Sequence, residues 1–148
     1  MYKRQAQHNK DKHSGQISFP GGRYERSDMT MLNCALRETE EEVGIVREDI
    51  TVLGELTPLY VFASNHLVQT YVGLIDSSVT FRPNDEVDEL ILGDIESIFS
   101  KGIEYRDINT NGVLLKDMPY YNLHGHVLWG ATAMIFTEMM DLWQLKNF

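Results

Sequence analysis

The sequence predicts an α/β domain with a mixed β-sheet sandwiched between α-helices. Strand-like and helix-like segments interleave without the regular alternation that a doubly wound parallel sheet requires. The 148 residues are 43% hydrophobic, which suits one domain over 1–148 with a core of ordinary size. The chain carries no repeats, low-complexity tracts or obvious linker.

Taken in order, the elements read as follows. Residues 3–14 are polar and are expected to form a loop; the basic, polar start of the chain, without an apolar stretch behind it, does not resemble a secretory signal. Ile17-Ser18-Phe19 alternates like a short strand and stops at Pro20-Gly21-Gly22. Asp28 is a suitable N-cap, good helix formers fill 32–42, and Gly44 stands where a helix would end. Leu32, Ala35, Leu36, Thr39 and Val43 define one apolar face of that helix. Residues 52–59, 67–75 and 113–121 are rich in strand formers. A short helix is expected at 94–100, and a turn at 109–112 between strands 103–108 and 113–116. Residues 127–145 are apolar around most of a helical circumference, predicting a helix packed into the body.

Charge narrows the function. Thirteen basic and 22 acidic residues leave a net charge of −9, which excludes holding nucleic acid by bulk electrostatics. No apolar run approaches the roughly 18–20 residues of a membrane span. Cys34 is the single cysteine, so no internal disulfide forms, and a reducing compartment, the cytoplasm, is expected. In its helix a packed thiol is the plainer reading than a nucleophile.

The helix also carries a dense group of acids. At about 100° per residue, Glu38 and Glu42 lie about 40° apart, with Glu41 about 60° to the other side of Glu38. Arg37 is the sole base in their immediate neighbourhood. A bare acidic run is ordinarily a solvated face. Uncompensated carboxylates are also what a hard cation such as Mg²⁺ takes as ligands.

The surrounding residues decide between these readings. Gly22, Asp28 and Arg37-Glu38-Thr39-Glu40-Glu41-Glu42-Val43-Gly44-Ile45 closely resemble the Nudix box, G-x5-E-x7-R-E-U-x-E-E-x-G-U, with Thr39 in the first apolar position. Asp28 replaces the first Glu, and eight residues separate it from Arg37. Both departures are similar to the coenzyme A diphosphatase-like branch of the family. His13-Ser14-Gly15-Gln16-Ile17-Ser18-Phe19-Pro20-Gly21-Gly22 resembles that branch's second signature, and Val127-Leu128-Trp129-Gly130-Ala131-Thr132-Ala133 its I-W-G-A-T-A segment. The pattern's leucine-rich strand before T-x-R is mostly missing ahead of Arg4.

The resemblance implies a Nudix fold and a cytoplasmic, metal-dependent diphosphatase using Mg²⁺ or Mn²⁺. Its substrate would be a nucleotide, coenzyme A or an acyl-CoA first, with no nucleic acid or membrane partner; a homodimer is compatible with it. Glu38, Glu41 and Glu42 would be metal ligands, with Arg37 orienting a box carboxylate. Gly21, Gly22, Arg23 and Arg4 would lie at the substrate, and Lys3, Arg4, Lys10, Lys12 and Arg23 are the bases available for a 3′-phosphate. Glu86, in the acidic stretch 84–89, matches the position from which family members recruit a further carboxylate or general base; a charged turn between elements is the equal alternative. Other dinucleotides (NADH, ADP-ribose or ADP-sugars) and a nucleotide-sensing domain without catalysis are the alternatives. His124 and His126 form an H-x-H pair with no third ligand nearby in sequence. Trp129, Trp143 and the Met134, Met139 and Met140 stripe read as packing, and Tyr60 or Phe62 as an aromatic that could stack on adenine.

Overall fold

The computed structural model describes residues 2–5, 16–110 and 112–145. Among the described residues ten strands and three α-helices follow one another: β1 (Tyr2–Gln5), β2 (Ile17–Ser18), α1 (Met31–Val43), β3 (Thr51–Glu55), β4 (Leu59–Val61), β5 (His66–Val68), β6 (Tyr71–Leu74), β7 (Val87–Ile91), α2 (Ile95–Ser100), β8 (Glu104–Thr110), β9 (Val113–Leu123), β10 (His126–Trp129) and α3 (Gly130–Leu145). The expected α/β class holds.

Strand pairings among the described residues are antiparallel. One sheet has the order β2-β1-β7 and a second β10-β9-β8, with two-stranded ribbons β3-β6 and β4-β5 beside them. The core joins both three-stranded sheets to the last two helices. Ile17 from β2, Ile91 from β7, Ile98 from α2, Tyr121 and Leu123 from β9, Leu128 from β10, and Ala133, Phe136 and Met140 from α3 form one buried cluster. Tyr121 meets Phe136 edge-on at 5.0 Å between ring centres, and its hydroxyl lies 3.0 Å from Thr137 Oγ1. Burying aromatic and aliphatic side chains together in this way supplies the main favourable term of folding.

The helix α1 ends as expected. Gly44 adopts the left-handed conformation, φ 72°, and its N–H donates to Glu40 O. Its start differs: Thr30, not Asp28, is the N-cap, accepting from Asn33 N–H at 3.1 Å. Asp28 closes a 3-10 turn one step earlier and is buried. On the predicted apolar face Val43 is fully buried, while Leu32, Ala35, Leu36 and Thr39 are half-buried.

Several expectations are corrected. Residues 127–129 are strand, paired with β9 through Val127↔Asn122 and Leu128↔Tyr121, and the helix begins only at Gly130. Alternation in a short apolar stretch cannot be told from a helical face once a longer helix follows it. Residues 3–5 belong to β1 rather than to a loop, held between β2 and β7; residues 6–15 lie outside those described. β7 starts inside the acidic stretch, where Val87 is the single apolar residue and alternation gives no strand signal. The 52–59 and 67–75 runs each divide into two strands. A hairpin joins the two strands as expected, but Asn109 and Thr110 belong to β8, with Thr110 paired to Val113 and Gly112 at φ 77°; residue 111 lies outside those described. Trp129 and Met139 are half-buried and Met140 is core, but Trp143 (46% exposed) and Met134 (59%) face outward.

Candidate active site

Three segments bring the predicted residues together: the loop Pro20–Arg23, helix α1, and the turn that precedes β7. Gly22 packs directly on Glu38. A Cβ there would stand 2.2 Å from Glu38 Oε1, so only glycine leaves that carboxylate its place. Gly21 N–H donates to Glu42 Oε2 at 3.0 Å, which ties the same loop to the end of the helix. Arg23 is exposed, and its carbonyl accepts from Arg37 Nη2 at 3.2 Å.

Arg37 organises the acids around it. Its Nε and Nη2 reach Asp28 Oδ1 and Oδ2 at 2.8 and 3.2 Å, a forked pair. Its Nη1 lies 3.0 Å from Glu38 Oε1 and 3.1 Å from Glu41 Oε2. Asp28 also accepts from Glu25 N–H at 2.7 Å. Arg37 first, then that main-chain bond, lowers the Asp28 carboxyl from the usual 3.8 to about 2. Glu38 moves the other way: burial raises it, against the opposing pull of Arg37. Burial likewise raises the Cys34 thiol, which is buried and suits packing rather than nucleophilic work.

The helical wheel places Glu38, Glu41 and Glu42 on one arc, but their side chains part. Glu41 is half-exposed beside Arg37, Glu38 lies under Gly22, and Glu42 turns inward. Glu42 is 5% exposed and accepts from Lys3 Nζ, itself 1% exposed, on β1. Lys3, expected from the sequence among the bases for a 3′-phosphate, is thus spent on Glu42; no sequence signal ties the two, because the contact spans 39 residues. Arg4, on the same strand, is paired outward with Asp88 and Glu89 at 2.6 and 3.3 Å rather than free for a ligand. Lys10 and Lys12 lie outside the described residues.

The turn before β7 docks on the end of α1. Arg82 N–H donates to Val43 O at 2.8 Å and Asn84 N–H to Glu42 O at 3.0 Å. These satisfy two of the carbonyls that a helix end leaves open. Asn84 Oδ1 then accepts from Glu86 N–H at 2.9 Å, so Glu86 stands exposed on a turn hydrogen-bonded to the helix that carries Glu42. Asn84, which the sequence did not single out, holds this turn; an Asx turn before a strand is its local signature.

Among the described residues, no three His, Cys, Asp or Glu side chains already converge on one point. His126 Nε2 lies 3.6 Å from Glu89 Oε1, and His124 is exposed on the β9–β10 turn. Tyr60 and Phe62 meet edge-on at 4.7 Å on the exposed β4–β5 ribbon. A cleft of about 490 Å³ between β6 and the turn before β3, lined by Glu48, Asp49, Leu74 and Asp76 among others, contains none of the box residues. The box carboxylates, hard oxygen donors with a side-chain-free glycine against Glu38, fit a hard divalent cation. Each is balanced here by a cation of the chain itself.

The NUDIX domain model matches residues 2–105. A protein of Pectobacterium atrosepticum named "Uncharacterized Nudix hydrolase NudL" is 35% identical over 130 residues, covering 86% of this chain and 67% of the relative. One of the same name from Photorhabdus laumondii is 33% identical over 131 residues, covering 86% and 68%. A third, from Yersinia enterocolitica, is 35% identical over 133 residues, covering 86% and 66%.

Proposed function

The chain belongs to the Nudix family of hydrolases, which act on pyrophosphate bonds of nucleoside diphosphate derivatives, and from that premise we propose that its substrate is coenzyme A or an acyl-CoA. The products are 4′-phosphopantetheine and adenosine 3′,5′-bisphosphate. The Asp28–Arg37 fork carries this reading. The two features that set the box apart, Asp for Glu and the eight-residue spacer, are the ones that resemble the coenzyme A branch, and they bring Asp28 and Arg37 into one part-buried salt bridge.

Nudix hydrolases need divalent cations, and we assign Mg²⁺ or Mn²⁺ to Glu38, Glu41 and Glu42. Bound there, the cation supplies charge neutralisation on the diphosphate and lowers the pKa of water. The chain's own groups do the rest. Arg37 holds Asp28, Glu38 and Glu41 in a fixed arc. Gly21, with open space where a side chain would stand, leaves room for phosphate oxygens against the main chain, and Gly22 leaves Glu38 its place. Glu86, held by the Asn84 turn, takes the proton of the attacking water as the new P–O bond forms. The bridging P–O bond then breaks, and the second phosphate leaves with its electron pair. The cytoplasm is the compartment proposed, from the single buried cysteine.

A substrate panel with phosphate-product detection tests this. With Mn²⁺, coenzyme A should give a higher kcat/KM than NADH or ADP-ribose, and EDTA should abolish turnover. A better rate on ADP-ribose or NADH sinks the coenzyme A assignment; full turnover in EDTA sinks the metal assignment.

A further inference from the structure

Lys3 is the one buried cation among the described residues. A buried ammonium must be compensated, since removal from water disfavours the charge strongly. Here the compensation is Glu42, whose Oε1 accepts from Lys3 Nζ while Oε2 accepts from Gly21 N–H at 3.0 Å. Both oxygens of this carboxylate therefore already have donors. Glu38 and Glu41 differ, sharing a single arginine nitrogen at 3.0 and 3.1 Å.

The backbone keeps Lys3 in place. β1 is the middle strand of its sheet, with Lys3 opposite Ser18 on β2 and Leu90 on β7. The ammonium can leave Glu42 only by rotating its own side chain, not by withdrawal of a loop. A divalent cation approaching Glu42 meets an ammonium on the same carboxylate, and two positive charges within a few ångströms repel.

We propose that Lys3 is a built-in counter-cation of the metal site, neutralising Glu42 in the metal-free protein and competing with the divalent cation for that carboxylate. Lys3 thereby sets the metal affinity and preserves the metal-free fold. This rests on Glu42 being a metal ligand, as assigned above. Without Lys3, the Glu42 carboxylate would stand buried and uncompensated whenever the metal is absent.

Mn²⁺ binding, followed through loss of the free-ion electron paramagnetic resonance signal, tests the idea without reference to turnover. Lys3→Gln should bind Mn²⁺ about tenfold more tightly than wild type, and Lys3→Arg, which keeps the charge, should not. In EDTA Lys3→Gln should melt below wild type, and saturating Mn²⁺ should close that gap. Equal or weaker Mn²⁺ binding by folded Lys3→Gln, with saturable binding by wild type, overturns the proposal alone. If wild type shows no saturable binding, the metal assignment falls and the proposal with it. Should Lys3→Gln not fold in EDTA, the Lys3→Gln/Glu42→Gln pair, which removes both charges, is compared with Glu42→Gln. Equal Mn²⁺ affinity in those two supports action through Glu42, and a tenfold gain in the double variant refutes it.

Discussion

Asp28 and Arg37 show how one side-chain pair can be legible in part. The box pattern marks both residues and assigns Arg37 a carboxylate partner, but not which of the nearby acids it takes. Nine positions separate the two in sequence, and the 3-10 turn at Arg26–Asp28 is what folds the aspartate back onto the helix. The pair makes a pH prediction. The folded Asp28 carboxyl sits at about 2 and the usual value is 3.8, so the unfolded chain binds the proton more readily between them. Its stabilisation is complete above the upper value and is lost as pH falls through the lower one. Asp28→Asn should therefore melt below wild type at neutral pH, and the gap should narrow as pH drops from 3.8 towards 2. A gap that stays constant across that range would show that Asp28 stabilises the fold by something other than its charge.

At the scale of elements, α1 presents two ends with different duties. Thr30 caps the first turn and touches no box carboxylate, so Thr30→Ala should cost about 1 kcal/mol of stability with kcat unchanged. Gly44 does more. Its φ of 72° already disfavours a side chain, and a Cβ would come within 2.7 Å of Arg82 Cβ and 2.8 Å of Arg82 O. Arg82 and Asn84 belong to the turn that places Glu86, so Gly44→Ala should push that turn off the helix end. We expect a loss of about 1–2 kcal/mol together with at least a tenfold fall in kcat. Melting curves and steady-state kinetics on the two variants, side by side, check it; equal kcat in both would mean that the clasp does not position Glu86. The glycine itself was legible as a helix stop. The close approach of residue 82 was not, because it is a contact between segments.

The whole molecule divides its labour along the chain. The box and its docking turn lie within residues 2–105, the span that matches the family model, yet Tyr121, Leu123, Leu128, Ala133, Phe136 and Met140 of the core cluster lie beyond it. A fragment ending at residue 105 retains every box residue and loses six of the nine residues of that core cluster. It should remain largely unfolded by circular dichroism and amide dispersion, and should not hydrolyse coenzyme A. A cooperative melt of that fragment would show that the first part of the chain folds without β9, β10 and α3. Phe136→Ala in the full chain is the graded version: Phe136 has no exposed surface, and its loss should cost about 3–5 kcal/mol.

The sequence alone determined the family resemblance, the box helix with its glycine stop, the short helix after Asp94 and a hairpin around Asn109–Gly112. Apart from the resemblance, each rests on residues close together in sequence, where periodicity, capping and glycine conformation act locally. Only the tertiary structure decided that 127–129 is strand, that Lys3 lies buried on Glu42, that Arg4 points to Asp88 and Glu89, and that Asn84 binds the end of α1. A lysine in a polar N-terminal stretch has no local reason to be buried. It is buried because two neighbouring strands enclose β1 and a carboxylate from a helix 39 residues away supplies the opposite charge. Such pairings are selected by the energy of the assembled chain, where desolvation and compensation are settled together, and no single segment carries that information.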